Sequence, residues 1–242
     1  MEYTVFSGTG DREINEDFAV AETINHLHCL VVCDGLGGHG KGEVASQLVA
    51  QHLVQYFKEH PIPDNAHITE AFETAQSKLL EEQEKAHMKN GMKTTAVMLL
   101  ADEKSAVWAH IGDSRLYLFQ KGKLVSRTLD HSVPQMLVMA GDIKEKQIRN
   151  HPDRNCLLRA FGTAWTTNRY EISPAYKLNQ YHSFLLCTDG FWEYITEKMM
   201  CKLLKKSHSS EEWMQYMLNE VRKNGGNAEM DNYTAITAMV SG

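Results

Sequence analysis

The chain has 242 residues, of which 43% are hydrophobic, and its 25 Lys and Arg against 31 Asp and Glu give a net charge of −6. Such a chain can bury a sizeable core in one domain or two small ones. Its negative net charge gives no indication of a basic surface for nucleic acid. The sequence contains neither an apolar run of about 18 residues, as a membrane span needs, nor an N-terminal signal peptide, and its five scattered cysteines are typical of a reducing cytosol.

The first part of the chain predicts strands followed by two helices. Alternating and apolar runs predict strands over residues 3–9, 18–24 and 27–33. A polar, charge-dense loop over residues 11–17 separates the first two strands. Apolar residues at helical spacing then predict helices over residues 43–60 and 66–89, and Pro61 and Pro63 end the first of them.

The second part of the chain predicts short strands and further helices. The strands are predicted over residues 93–101, 105–111, 115–120, 123–128, 169–173, 182–188 and 233–240. Short turns join the first four of them in pairs, which predicts antiparallel pairing. Helices are predicted over residues 196–206 and 209–224, and two short ones within residues 133–150. Antiparallel strands with segregated helices predict an α+β fold, and we expect a single domain over residues 1–242.

The segment 30–40 combines an apolar run, a carboxylate and a glycine-rich loop. Its letters Gly35-x-Gly37-x-x-Gly40 fit a dinucleotide-binding fingerprint, and Gly35-x-x-x-x-Gly40-Lys41 is close to a P-loop. Both interpretations bring a phosphate to backbone N–H groups beside the charge of Asp34, which nothing would then neutralise. A metal ion between Asp34 and a phosphate removes this conflict, and it is the interpretation that we favour.

Further carboxylates occupy similar positions along the chain. Asp189-Gly190 repeats the pattern of an apolar strand followed by Asp-Gly, and the other acidic residues at strand ends or turns are Glu16, Asp17, Asp113 and Asp231. Each of them alone is also typical of a turn or a cap. If they converged on one edge of a sheet, they would repel one another unless divalent cations neutralised them. Ligands that are all oxygen favour magnesium or manganese over zinc.

A cation lies in the same loop as two of these acids. Arg12 precedes Glu16 and Asp17 by a few residues, and a guanidinium there would bind phosphate oxygens in a bidentate manner. The alternative is a salt bridge from Arg12 to Glu13 or Asp17, which is common among exposed charges. Carboxylates, divalent ions and a guanidinium together indicate chemistry on a phosphoryl group.

Five motifs carry a resemblance to a known family. In chain order they are Arg12-x-x-Asn15-Glu16-Asp17, Asp34-Gly35-Leu36-Gly37-Gly38, Gly112-Asp113-Ser114-Arg115, Cys187-Thr188-Asp189-Gly190 and Asp231-Asn232. Together they resemble the metal-dependent protein Ser/Thr phosphatases, the protein phosphatase 2C or PPM family, over residues 9–240. Weaker matches at residues 129–132, 151–155 and 158–162 resemble its compact bacterial branch.

The resemblance implies a fold and a site. The fold is a four-layer α/β/β/α sandwich of two packed, mainly antiparallel sheets flanked by helix pairs, with a flap over residues 133–162. The site holds two divalent ions, Mn or Mg, and a third, weaker one. The ligands implied for the first two ions are Asp34, the Gly35 carbonyl, Asp189, Asp231, Glu16 and Asp17. The resemblance implies that Asp113 joins Asp189 at the third ion and that Arg12 binds the substrate phosphate.

The resemblance also implies an activity. It is the metal-dependent hydrolysis of phosphoserine and phosphothreonine in proteins, in which a metal-bridging hydroxide attacks phosphorus directly and Asp34, Asp189 and Arg12 are the catalytic residues. Phosphorylated proteins are the implied substrates, and a cognate Ser/Thr kinase would act in the opposite direction. We expect a cytoplasmic monomer that binds neither nucleic acid nor membrane.

Two questions stay open at the level of the sequence. Leu36 occupies the position at which animal members of the family have a histidine thought to act as general acid, and His39 is a candidate for that role because it titrates in a useful range. The alternative function is a non-catalytic phosphoprotein-binding or regulatory module with the same fold. A phosphatase for a small metabolite or for one dedicated partner protein is a third interpretation, because substrate choice depends on the flap and surface loops.

Overall fold

The structure is a computed structural model that describes residues 1–37, 41–88, 91–165, 169–179, 181–226 and 229–240. Within those residues the strands are β1 Glu2–Gly8, β2 Asp17–Ile24, β3 Leu27–Leu36, β4 Lys93–Thr94, β5 Ala96–Ala101, β6 Ser105–Ile111, β7 Arg115–Gln120, β8 Lys123–Arg127, β9 Glu171–Ile172, β10 Tyr176–Lys177, β11 His182–Cys187 and β12 Tyr233–Met239. The helices are α1 Gly42–Glu59, α2 Asn65–Lys85, α3 Val133–Ala140, α4 Asp189–Trp192, α5 Glu197–Leu204 and α6 Ser210–Gly225, with a 3-10 helix over Glu145–Asn150.

The strands form two antiparallel sheets. The first sheet has the order β1-β12-β11-β7-β8, and the second has the order β10-β6-β5-β3-β2. Strand β4 pairs with the end of β3, and β9 pairs with β6. In the β2–β3 pair, Asp17 lies opposite Asp34. The hydroxyl of Thr188, directly after β11, donates a hydrogen bond of 2.9 Å to Asp17 Oδ2, so the two sheets meet at the end that carries these acids.

The central strands are apolar on both faces because each sheet is covered on both sides. Leu30 of β3 lies between the sheets in one core cluster with Leu118 of β7. Its neighbour Val31 points the other way and lies in the cluster that includes Leu53 of α1, as the two-residue period of a strand requires. The outer face of the first sheet is covered by α4, α5 and α6, where Trp213 is fully buried. The predicted four-layer α+β sandwich is therefore confirmed.

Three local features differ from the sequence-based predictions. Strand β3 continues through Asp34 rather than ending at residue 33, because Gly35 and Leu36 pair with β4. Asp189 begins the short helix α4, which was not predicted, with Thr188 in an extended conformation at its N-cap position. Strand β10 was not predicted, since its two residues are too few to give a periodic pattern.

Two further properties concern the whole of the described chain. No helix in the described ranges is both long and apolar enough to cross a bilayer. All five cysteines are free thiols, and Cys29, Cys33 and Cys187 are buried. Burial raises the pKa of Cys29 to about 12, so this thiol is inert at neutral pH.

Candidate active site

A cavity of about 990 Å³ opens at the end of the sandwich where the two sheets meet. Seven of the predicted site residues line it: Arg12, Glu16, Asp34, Gly35, Asp113, Asp189 and Asp231. Asp17 does not line the cavity, and it lies buried opposite Asp34. His39, the candidate general acid, lies outside the described residues. Residues that are up to 219 positions apart in sequence are thus brought to one cavity by the sheet ends and turns.

The backbone of Asp34 is held where β3 changes its partner from β5 to β4. Its N–H donates to Thr95 Oγ1 at 3.0 Å. Its carbonyl accepts from the Thr94 hydroxyl and from the Thr95 N–H, both at 2.9 Å. Because both backbone groups are bonded in this way, the carboxylate projects from a fixed point of the sheet.

Asp17 and Asp189 are connected through Thr188. The Thr188 hydroxyl donates to Asp17 Oδ2 at 2.9 Å and accepts from the Thr234 N–H at 3.0 Å. Asp189 follows at once and begins α4. Burial raises the pKa of Asp17 to about 8, and the carboxylate of Asp189 contributes to the same shift. Asp17 therefore lies behind the cavity wall.

Asp113 lies in the tight turn between β6 and β7 and is connected to α4. The indole N–H of Trp192 donates to the Asp113 carbonyl at 3.0 Å. The Arg115 guanidinium lies 3.5 Å from the centre of the Trp192 ring, and it forms two hydrogen bonds of 2.8 and 2.7 Å to buried Asp130. The short helix α4, which begins with Asp189, thus also fixes the β6–β7 turn that carries Asp113.

The loop 9–16 is anchored by the residue that follows Asp231. The Asn232 side chain accepts from the Glu16 N–H at 2.8 Å and donates to the carbonyls of Thr9 and Ile14 at 2.8 and 3.0 Å. The same loop carries Arg12, whose Nη2 donates to Asp231 Oδ2 at 2.8 Å. The predicted alternatives, Glu13 and Asp17, are not its partners in the described residues.

Glu16 has a structural contact in addition to its position at the cavity. The Gly42 N–H at the start of α1 donates to its carboxylate, which lowers its pKa, but burial is the larger effect and raises it. A carboxylate at a helix N-terminus is stabilised by the helix dipole. A Cβ on Gly37 would lie 1.9 Å from Glu16 Oε1, so the glycine leaves space for the acid.

The glycines of the two Asp-Gly pairs allow close approach of backbone segments. A Cβ on Gly35 would lie 2.4 Å from the Gly42 carbonyl oxygen, and one on Gly190 would lie 2.1 Å from that of Asn232. Neither position has a positive φ angle. Each glycine therefore lets a neighbouring segment pack directly behind the acid that precedes it.

The carboxylates of the cavity strongly disfavour one another's charge. Burial raises the pKa of Asp34 well above its ordinary value, and the nearby Asp189 raises it further. Burial and Asp189 act in the same way on the pKa of Asp113. Burial likewise raises the pKa of Asp189, and the charge of Asp231 adds to the shift. A divalent cation would offset this crowding of negative charge, and a donor set of oxygens alone fits Mg²⁺ or Mn²⁺.

Two residues next to cavity-lining residues were not predicted as site residues: the Glu193 N–H donates to the Asp189 carbonyl at 2.9 Å, and Arg154 precedes Asn155. Burial raises the pKa of Glu193 to about 7, and Asp189 adds to the shift. Arg154, in the predicted flap, donates to Glu193 Oε1 at 2.8 Å. The signal that the sequence offered is the position of Glu193 four residues after Asp189, since such residues lie on one face of a helix.

The same fold occurs in known protein phosphatases. Residues 9–233 match the sequence model of the family described as Protein phosphatase 2C. The serine/threonine phosphatase stp of Listeria monocytogenes serotype 4b is 32% identical over 234 residues, which cover 93% of this chain and 90% of that protein. The chain belongs to the protein phosphatase 2C family.

Solved structures agree with this family membership. The crystal structure of the serine/threonine phosphatase Stp1 from Staphylococcus aureus superimposes with a TM-score of 0.88 at 30% identity, covering 100% of this chain and 95% of that one. The catalytic domain of the phosphatase PstP, solved in complex with two manganese ions, gives a TM-score of 0.85 at 28% identity and covers 100% and 98% of the two chains.

Proposed function

We propose that this chain is a metal-dependent phosphatase that hydrolyses phosphoserine and phosphothreonine in proteins. The observation that carries the proposal is the convergence of Asp34, Asp113, Asp189 and Asp231 on one cavity together with Arg12. The relatives named as serine/threonine phosphatases support the substrate class. We propose further that residues 1–242 act as one catalytic domain with a flap at residues 133–162.

We assign the acids to ion binding. Asp34, Asp189 and Asp231 would hold one ion, and Asp34 with the Gly35 carbonyl would hold the other. Glu16 and Asp17 serve the second site through water ligands, which agrees with the burial of Asp17 behind the cavity. Asp113 joins Asp189 at a third, weaker site. Mg²⁺ or Mn²⁺ ions, when bound, supply positive charge and activate a water for in-line attack on phosphorus.

The protein's own groups orient the phosphate and balance part of its negative charge. The Arg12 guanidinium is 60% exposed and faces the cavity, and on leaving Asp231 it can donate two parallel N–H groups to phosphate oxygens. Its charge then balances part of the negative charge that the transferring phosphoryl group carries. The group that protonates the leaving alkoxide stays a prediction, with His39 as the candidate.

The cavity is broad enough for a side chain that is presented on a protein surface. Ile14, Leu36 and Leu157 supply apolar lining, and Lys41 supplies a second cation. These groups support a phosphorylated peptide segment as the substrate. A cognate Ser/Thr kinase would phosphorylate that segment beforehand. A cytoplasmic location and a monomeric state remain predictions from the sequence.

The test is manganese-dependent hydrolysis of a phosphothreonine peptide by the full chain. We expect turnover with Mn²⁺ and none with EDTA, and a loss of about 100-fold or more in kcat for Asp189→Asn. Glu103→Gln, at an exposed position in the turn between β5 and β6 and away from the cavity, is the control. Tight binding of the phosphopeptide by a folded protein without any turnover would instead favour the non-catalytic module. A panel with small phosphate esters separates protein from metabolite substrates.

A further inference from the structure

His131 joins the turn of Asp113 to the end of the flap. Its N–H donates to the Gly112 carbonyl at 2.9 Å, and the Gly112 N–H donates back to His131 Nδ1 at 3.2 Å. The His131 carbonyl accepts from the Leu158 N–H at 2.8 Å. Gly112 precedes Asp113 and Leu158 follows Leu157, and both of these neighbours line the cavity. One buried residue therefore touches the segments on two sides of the site.

The contact with Gly112 determines the protonation of the imidazole. A backbone N–H can only donate, so Nδ1 of His131 must be the unprotonated nitrogen, and the proton lies on Nε2. Nε2 is buried and has no hydrogen-bond partner within normal geometry. The closest charge is Oε1 of Glu171 on β9, at 3.5 Å. Glu171 therefore faces the protonated nitrogen and favours the tautomer that Gly112 requires.

The turn itself has little freedom to adjust. Gly112 has a φ of +98°, and a Cβ there would lie 2.5 Å from the Thr95 side chain. Thr95 thus packs against one side of the turn while His131 bonds its backbone. Because Thr95 also bonds the backbone of Asp34, the position of Asp113 relative to Asp34 depends on these contacts.

A metal centre at this place is excluded by the ring geometry. The rings of His110 and His131 are stacked, with centroids 4.7 Å apart and an angle of 17° between the planes, and donor atoms of both lie within 4.8 Å of Glu171. Imidazole lone pairs lie in the ring plane, so two parallel rings cannot both point to an ion about 2.0–2.1 Å away. His110 instead donates from Nε2 to the Leu129 carbonyl at 2.8 Å.

From these contacts we infer that His131 is a positioning residue that fixes Asp113 relative to the flap, with Glu171 holding its imidazole in the required tautomer. Glu171 is suited to this task because Arg159, directly after Leu158, lies 4.0 Å from the same carboxylate oxygen. The inference rests on the proposed function, in which Asp113 serves the third, weaker ion. Loss of His131 should therefore weaken that ion and turnover, and it should leave the two tighter ions unaffected.

The experiment uses three variants of the full chain. His131→Leu removes the acceptor for the Gly112 N–H. His131→Asn retains one, since its amide oxygen lies near the position of Nδ1. Glu171→Gln removes only the charge that faces Nε2. The matched control is His182→Leu, because His182 is also buried, accepts a backbone N–H on Nδ1 at 2.9 Å and has an unpartnered Nε2.

Calorimetric titration with Mn²⁺ and steady-state kinetics are the two readouts. For His131→Leu we expect the third binding step to weaken about 10- to 100-fold and kcat to fall, with KM for the phosphopeptide nearly unchanged. His131→Asn should recover most of the affinity, and Glu171→Gln should show a smaller loss in the same direction. His182→Leu should match the wild type in both readouts.

Two results would overturn the inference. One is the absence of a third binding step in the wild type, and the other is unchanged third-site affinity and kcat in folded His131→Leu. If His131→Leu fails to fold, Glu171→Gln decides: a wild-type third binding step and kcat in that variant would overturn the inference, and a weakened third step would support it. A wild type that binds Mn²⁺ but hydrolyses no phosphopeptide contradicts the proposed function instead. In that case the Mn²⁺ titration still tests the contact between His131 and Gly112.

Discussion

The guanidinium of Arg12 lies against the carboxylate of Asp231, with Nη2 2.8 Å from Oδ2. The two residues are 219 positions apart, and their side chains are 60% and 42% exposed. The proposed roles assign phosphate to Arg12 and a metal ion to Asp231. In this arrangement each neutralises the other, so a cation at Asp231 would release Arg12 for the phosphate. Binding of the metal ion and of phosphate should therefore support each other.

Arg12→Ala tests this relationship through two effects of opposite sign. Loss of charge-assisted hydrogen bonds of about 1.5–3 kcal/mol should weaken competitive inhibition by inorganic phosphate about 10- to 100-fold. Loss of an exposed competitor for Asp231, worth at most about 1 kcal/mol, should leave Mn²⁺ affinity unchanged or raise it up to about fivefold. Inhibition kinetics measure the affinity for inorganic phosphate, and calorimetry measures the affinity for Mn²⁺. Arg169→Ala, whose partner Glu73 lies on α2, is the control, and lower Mn²⁺ affinity in Arg12→Ala would contradict the coupling.

Asp34→Asn should separate stability from activity. Burial and four neighbouring aspartates raise the pKa of Asp34, so an amide at this position removes an unfavourable ionisable group from the metal-free fold. We expect a higher Tm in EDTA, by about 2–4 °C for each kcal/mol gained. With Mn²⁺ the order should reverse, because a ligand stabilises only the protein that binds it. Thermal denaturation in both conditions is the measurement, and a lower Tm than the wild type in EDTA would refute the argument.

Much of the fold follows from local sequence patterns. Strand β3 was predictable because every residue from Cys29 to Cys33 is buried, and a strand covered on both faces is a continuous apolar run. The residue types at the site were predictable for a related reason. Carboxylates that follow buried strands, such as Asp189 after β11, have few neutral explanations once several occur in one chain.

The contacts between distant segments were not predictable. The sequence suggests Glu13 and Asp17 as partners of Arg12, because charges close in sequence are the only ones that a local pattern can compare. The hydrogen bond from Trp192 to Asp113 spans 79 residues, and nothing in either segment indicates the other. The roles of Gly35 and Gly190 in backbone packing likewise depend on which segment lies behind each of them.

His52 provides a pH-dependent test of the packing between α1 and α2. Its Nε2 lies 2.8 Å from the Thr74 hydroxyl of α2. Burial, assisted by the charge of Lys78, lowers its pKa from 6.5 to about 4. The folded protein therefore binds fewer protons than the unfolded chain between these values, and this contribution to stability is lost as the pH falls from about 6.5 to about 4.

His52→Gln removes that titration while retaining a side-chain donor. Relative to the wild type, the free energy of unfolding of the variant should rise between pH 7 and pH 5, as measured by urea denaturation. His26→Gln, at an exposed position in the β2–β3 turn, is the control and should show no comparable change. An identical pH dependence of the wild type and His52→Gln would rule out a role for His52 in the acid sensitivity of the fold.

Gly190→Ala should damage both the fold and the site, because the two depend on one close approach. The new Cβ would lie 2.1 Å from the Asn232 carbonyl oxygen, which is backbone and can move only with the segment that carries Asp231. Overpacking of this kind costs about 1–3 kcal/mol, and the separation of Asp189 from Asp231 should lower Mn²⁺ affinity as well as kcat.

Gly226→Ala provides the control, because Gly226 has a φ of −64° and its nearest neighbour would lie 3.1 Å from the added carbon. We expect its stability to stay within about 0.5 kcal/mol of the wild type. Chemical denaturation and a Mn²⁺ titration on both variants separate the two effects. If Gly190→Ala kept full Mn²⁺ affinity, the packing of Asn232 behind Gly190 would not control the spacing of the two aspartates.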